Sequence, residues 1–248
     1  MPLIGVPPCD ASWIAEYKKR RAPLAGNAGK GVRMSIRIIN AQGTPGTLAC
    51  FGRTVHQRRP VFLTSCHVLY AAGAKRRDPV WLASPGGGYR RLGTALQGKR
   101  GIVRYRGGDC FVDCAIGALE LPVDVDWSPA PHTQVAPKAG DRVWKAGAAT
   151  GVTVGIVVDA CHACTTAAGS LDTLDTPQPI LAPGQLLVRS GDPRLAFAAD
   201  GDSGALLWND DNVPIGLLWG TTVAAEGVAC PIDTVLHALN IDLCGGHA

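Results

Sequence analysis

The stretch AFAADGDSGALLW, Ala196 to Trp208, sets two carboxylates and a hydroxyl among glycines and runs at once into the apolar segment Ala205–Trp208. Asp, Gly and Ser are ordinary turn residues, so a surface bend is one reading. The other is a bend that presents Ser203, with backbone N–H groups aimed at one point in space. A serine used in this way needs a histidine and a carboxylate from elsewhere in the chain.

Six histidines are available. His67 closes the apolar strand segment VFLTSCHVLY, where a rigid scaffold can hold an imidazole. His56, His132, His162, His237 and His247 fall in turns, a linker, a Cys-x-x-Cys pair, a helix face and the tail. Asp113 follows His67 by 46 residues and opens the apolar run of VDCAIGALEL. A carboxylate half-buried there is costly without a partner, and His67 would be one. Asp109, in GGDC, reads as a turn residue. Ser203 comes 90 residues after Asp113. The order His, Asp, Ser differs from that of an α/β-hydrolase, whose G-x-S-x-G elbow is absent here.

A chain of 248 residues forms either one large all-β unit or two domains of about 100 residues each. Apolar residues at 46% and charged residues at 18% fit a globular protein, and 31 Gly with 18 Pro fit one with many turns. No apolar run approaches the roughly 18 residues of a membrane-spanning helix, so no membrane partner is expected. The start MPLIGVPPCDASW has neither a basic nor an apolar signal region, which favours a cytoplasmic location. Nine cysteines, an odd number, suit free thiols in a reducing compartment. Cys161 and Cys164 flank His162, but residues three apart on a strand point to opposite faces, which argues against zinc. Neither a metal nor a cofactor is expected.

The formal charge of +4 conceals a division. Residues 1–106 hold 19 Lys and Arg against 3 Asp and Glu, and residues 107–248 hold 5 against 17. Nucleic-acid binding is one reading of the basic half. Its cations are scattered, however, and lack interleaved aromatics. Attraction between the halves and a solvated basic face explain them more simply, and leave room for an acidic protein partner.

Strand signals dominate. In VRMSIRIIN, Val32, Met34, Ile36 and Ile38 are in phase for a half-buried strand. TLACFGRTV, RPVFLTSCHVL, PVWLAS, GIVRY and CAIGALEL follow. A Pro-rich stretch near 122–139 reads as a linker, after which DRVWKAG, GVTVGIVVDA, GQLLVRS, GALLW and PIGLLWGTTVA resume the pattern. Short, regularly spaced strands predict β-barrels or a sandwich. Helices are expected after Asp10 or Ser12, and in PIDTVLHALNI opened by Pro231.

With these motifs in order, the chain resembles the trypsin/chymotrypsin-like serine proteases. FLTSCHVL is similar to their histidine strand, VDCAIGAL to their aspartate strand and GDSGALL to their serine loop. GTLACFGR, KAGAATGVTVGIV, GDSGALLW with VPIGLLWG, and ACPIDTVLHAL resemble bacterial trypsin-like peptidases; together the likeness spans roughly residues 32–240. It implies an all-β fold of two six-stranded antiparallel barrels with a C-terminal helix and a short N-terminal helical extension. The divisions would be 1–31 extension, 32–125 first barrel, and 126–248 linker, second barrel and helix.

The resemblance also implies roles. Ser203 would be nucleophile, His67 general base and Asp113 its orienting acid, with the N–H groups of Gly201 and Ser203 as oxyanion hole. Asp202 would brace that loop. Phe197 would lie at the base of the first substrate pocket, Ala198, Trp219 and Gly220 in its walls and Asp200 near its rim, favouring an apolar or small residue before the cut. A protein or peptide would be the substrate. A catalytically silent binding module and an esterase with the same triad stay open as alternatives. No activation junction precedes Val32 at a suitable distance, so the protein is expected to be competent without cleavage, and Asp202 must then find backbone N–H groups or a cation. Removal of the first 31 residues as a pro-segment is the alternative.

Overall fold

The computed structural model describes residues 36–84, 87–130, 136–170 and 173–244. The expected helix after Asp10 or Ser12 and the first residues of the Val32 strand lie outside them.

β2 (Pro45–Thr47) runs through Leu48 and Ala49 into β3 (Cys50–Thr54), and the bend between them closes the first barrel. β2 pairs with β1 (Arg37–Ile39), whereas β3 pairs with β4 (Pro60–Thr64). β4 pairs with β7 (Gly108–Leu119), β7 with β6 (Tyr89–Tyr105), β6 with β5 (Pro79–Ala83), and β5 with β1, all antiparallel. The bent β2–β3 segment therefore meets both ends of one sheet and curls it into a six-membered ring. At the bend, Leu48 N–H donates to Ile36 and Ala49 N–H to Leu63, so neither side is left unpaired.

The second barrel closes in the order β10 (Thr173–Ser190), β13 (Gly227–Pro231), β12 (Pro214–Thr221), β11 (Leu206–Trp208), β8 (Arg142–Gly147) and β9 (Gly151–Ser170). The expected pair of six-membered barrels is present, and the C-terminal helix follows as α2 (Ile232–Leu239). Pro231 opens it, Asp233 complements its N-terminal dipole, and Ile232, Val235 and Leu239 form its buried stripe.

Alternation along β4 explains how the barrels join. Phe62 points into the first barrel with Ile38, Leu48, Phe51 and Leu92. Val61 and Leu63, one residue either side, pack with Leu206, Leu217, Trp219 and Val228 of the second barrel. Burying each such side chain stabilises by roughly 1.5–3 kcal/mol, so the inter-barrel layer belongs to the folding unit.

Three expectations needed correction. The strand ending at His67 stops at Thr64, and Cys66–Tyr70 form a short helix, α1, because Val68 and Leu69 turn back into the core. The C-terminal helix does not include Ile241: Asn240 adopts the left-handed conformation, and Ile241–Leu243 form β14 on the outer edge of β3. The last residues thus return to the first barrel instead of staying with the second. Finally, β6–β7 and β9–β10 are long ribbons, far longer than the short apolar runs that signalled them.

Candidate active site

His67 and Asp113 meet because β4 and β7 are neighbours and α1 begins directly beyond β4. His67 Nδ1 lies 3.0 Å from Asp113 Oδ2, and the backbone N–H of His67 donates to Oδ1 at 3.0 Å. Both carboxylate oxygens are therefore bound to one residue. Asp113 is fully buried rather than half-buried, in mid-strand, and its own N–H donates to Cys230 Sγ at 3.3 Å. Burial alone would raise its pKa; His67, with further help from Arg100, outweighs this and holds the carboxyl below its usual range. Asp109 is exposed, paired with Arg104 at 2.9 Å, and remote from this arrangement in character.

The histidine and serine segments are tied to one acceptor, the carbonyl of Leu218. Ser65 Oγ, two residues before His67, donates to it at 3.0 Å, and Gly204 N–H, one residue after Ser203, at 2.7 Å. Gly204 could carry no side chain: a Cβ would collide with Thr47 O and Thr64 Oγ1. Ser203 Oγ donates to the carbonyl of Trp219 at 3.4 Å, not to His67. Gly201 has φ +98°, and the N–H groups of Gly201 and Ser203 make no hydrogen bond among the described residues.

Asp202 is fully buried and saturated. Oδ1 accepts from the N–H groups of Ala149 (2.8 Å) and Thr150 (3.1 Å). Oδ2 accepts from Ala199 N–H (3.1 Å), Thr150 Oγ1 (2.7 Å) and Lys145 Nζ (2.9 Å). Lys145, also without exposure, supplies a cation, so that both kinds of partner expected as alternatives, backbone N–H groups and a cation, are present. Burial would raise the Asp202 pKa, but Lys145 and these hydrogen bonds bring it below its usual value; burial likewise pulls the Lys145 pKa down, with Asp202 opposing.

No protein-family model matches the chain, and neither does any curated protein sequence. Solved structures do. The active form of the Rv3671c protease from M. tuberculosis aligns at TM-score 0.55 and 18% identity, over 100% of this chain and 95% of its own. Cellulomonas bogoriensis chymotrypsin aligns at 0.52 and 15%, over 84% and 96%. A glutamic acid-specific serine protease that uses a histidine triad in substrate binding aligns at 0.52 and 18%, over 84% and 97%. The fold is that of the chymotrypsin-like serine proteases.

Within that chymotrypsin-like fold, the residues expected to line the first substrate pocket differ from one another in exposure. Phe197 has no exposed surface; its ring fills the space that side chains at Gly155 and Gly227 would need. Ala198 and Trp219 are also buried, Gly220 is half-buried and Asp200 exposed. The Trp219 ring turns away from solvent, with Nε1 donating to Gln185 at 2.7 Å and Phe111 5.1 Å away between ring centres. Glu226 precedes Gly227, which lies against the Phe197 ring, and its carboxylate is held by Arg189 at 2.8 Å.

Sequence reasoning did not single out Arg100, Lys145, Thr150 or Thr47. Lys145 carried a signal, as a lone cation in the apolar strand VWKAG, whose neighbours are all buried. Arg100 and Thr47 carried none, because their roles depend on pairings between distant segments.

Proposed function

We propose that the protein is a serine endopeptidase that cleaves peptide bonds through an acyl-enzyme on Ser203. The observation that carries this reading is the double grip of Asp113 on His67, through Nδ1 and the backbone N–H, in a fold shared with serine proteases. That grip leaves Nε2 as the ring atom free to take a proton. For attack, Ser203 Oγ must leave the Trp219 carbonyl for Nε2, which would free that carbonyl to accept an N–H of the substrate. His67 then takes the serine proton as Oγ attacks, and returns it to the leaving amine. The unengaged N–H groups of Gly201 and Ser203 receive the oxyanion, where one donor contributes about 3–4 kcal/mol of barrier lowering.

A small or apolar residue before the cut is the expected preference. Phe197 closes the pocket floor with a ring, and the carboxylate of Glu226 is already committed to Arg189. Asp200, expected near the rim, is exposed. The saturated Asp202 carboxylate supports competence without cleavage, since a newly formed N-terminal ammonium would find its place taken by Lys145.

A fluorophosphonate probe tests the reading. One probe per full-length chain, attached at Ser203, followed by cleavage of a peptide library after small or apolar residues, is expected. A chain that the probe does not label, or that cleaves only non-peptide esters, would overturn it. Labelling that appears only together with loss of an N-terminal fragment would overturn the part about competence.

A further inference from the structure

Thr47 belongs to the first barrel, yet it makes hydrogen bonds to two loops of the second, the serine loop and the β8–β9 loop. It is fully buried at the end of β2. Its backbone N–H donates to the Ser203 carbonyl at 2.8 Å. Its hydroxyl donates to the Gly201 carbonyl at 2.8 Å and accepts the Ala148 N–H at 3.0 Å. Its own carbonyl accepts from Thr64 Oγ1 at 2.8 Å, which anchors it to β4. A hydroxyl with one donor and one acceptor in use is well satisfied, so its orientation is set.

These contacts fall on the peptide units that follow Gly201 and Ser203, the residues whose N–H groups face the proposed oxyanion. Gly201 has φ +98°, and a Cβ there would touch only Ala149 at 3.4 Å. A glycine has wide backbone freedom, and within its own loop the peptide after Gly201 is held by the Asp202 N–H, which donates to the Ala199 carbonyl at 3.0 Å. The Thr47 hydroxyl adds a restraint from the opposite barrel. Ala148, whose N–H binds that hydroxyl, is followed by Ala149 and Thr150, whose N–H groups bind Asp202. Three successive amides thus lock the loop on one side while the Thr47 backbone locks Ser203 on the other.

Resting on the peptidase reading above, we infer that Thr47 is a positioning residue that sets the Gly201 peptide from the opposite barrel, so that the oxyanion-binding amides exist only when the two barrels are docked. Thr47→Val keeps the shape and removes the hydroxyl. It is expected to lower kcat about 10- to 100-fold, with KM changed less than about two-fold, since a donor aimed at the oxyanion acts on the transition state. Its inhibition constant for a peptidyl boronic acid, whose tetrahedral adduct places an oxygen in the same site, should rise by a similar factor. Thr47→Ser should restore most of both. A purely structural role would lower thermal stability while leaving kcat and boronate affinity at wild-type levels below the melting temperature, and that result overturns the inference. If Thr47→Val does not fold, a crystal structure of the wild-type boronate adduct decides. Thr47 Oγ1 should still bond the Gly201 carbonyl, and a broken contact overturns the inference. A wild-type protein inert to both boronate and fluorophosphonate would instead remove the peptidase reading beneath it.

Discussion

Arg100 and His67 share one oxygen of Asp113: Arg100 Nε lies 2.9 Å from Oδ2, the atom that also faces His67 Nδ1 at 3.0 Å. The arginine N–H is not aligned for a hydrogen bond, so its effect is that of a nearby charge. A cation there helps to hold the Asp113 carboxyl below its usual range. Replacing Arg100 by Gln should therefore let that carboxyl rise toward its ordinary value and make the acid loss of stability shallower in chemical denaturation. A decline of unchanged depth would show that solvent already screens this charge.

The proposed triad should give graded losses. Ser203→Ala should reduce the rate by up to about 10⁶-fold, and Asp113→Asn by about 10⁴-fold, because the amide presents the wrong partner to the ring. Asp109→Asn, at an exposed ion pair, should change little. Steady-state kinetics on the three variants test the assignment, and a large loss at Asp109 would contradict it.

Lys145→Met leaves the Asp202 carboxylate buried without its cation. Removing one partner of a buried pair costs about 3–5 kcal/mol, which should appear as a lower urea midpoint. The double change Lys145→Met, Asp202→Asn removes the orphaned charge and should regain part of that stability without regaining activity, since Asn cannot keep all five acceptor contacts. Equal midpoints for wild type and Lys145→Met would argue that water reaches this site.

Acid should loosen the molecule in a defined window. Asp113 and Asp202 are both held below their ordinary value of 3.8, so each adds stability that is complete above that value. As pH falls below it, the unfolded chain binds protons first and the contribution is lost. Chemical denaturation from pH 7 to pH 2 is expected to show little change contributed by these two groups above the ordinary carboxylate range and a decline below it. Asp202→Asn should make the decline shallower.

The pairing of His67 with Asp113 was legible in the chain because each stands out locally, a histidine at the end of an apolar run and an acid within one; Ser203 was singled out by its place in GDSG. The barrels were legible because short apolar runs such as Val61–Phe62–Leu63 recur at regular spacing between turn residues, although which face each side chain takes was not. The long ribbons were not. GIVRY carried a strand signal, but LQGKR before it, with a glycine and adjacent cations, does not declare a strand, and the tight turn at Arg106 and Gly107 sets the register that places Arg100 opposite Asp113. Local pattern determines which residues can be strands and which side chains can do chemistry, since both follow from neighbours one or two positions away. Tertiary structure decided the rest. Thr47 reaches Gly201 across 154 residues and Lys145 reaches Asp202 across 57, and contacts of that span depend on how two closed barrels seat against each other, which no local periodicity encodes.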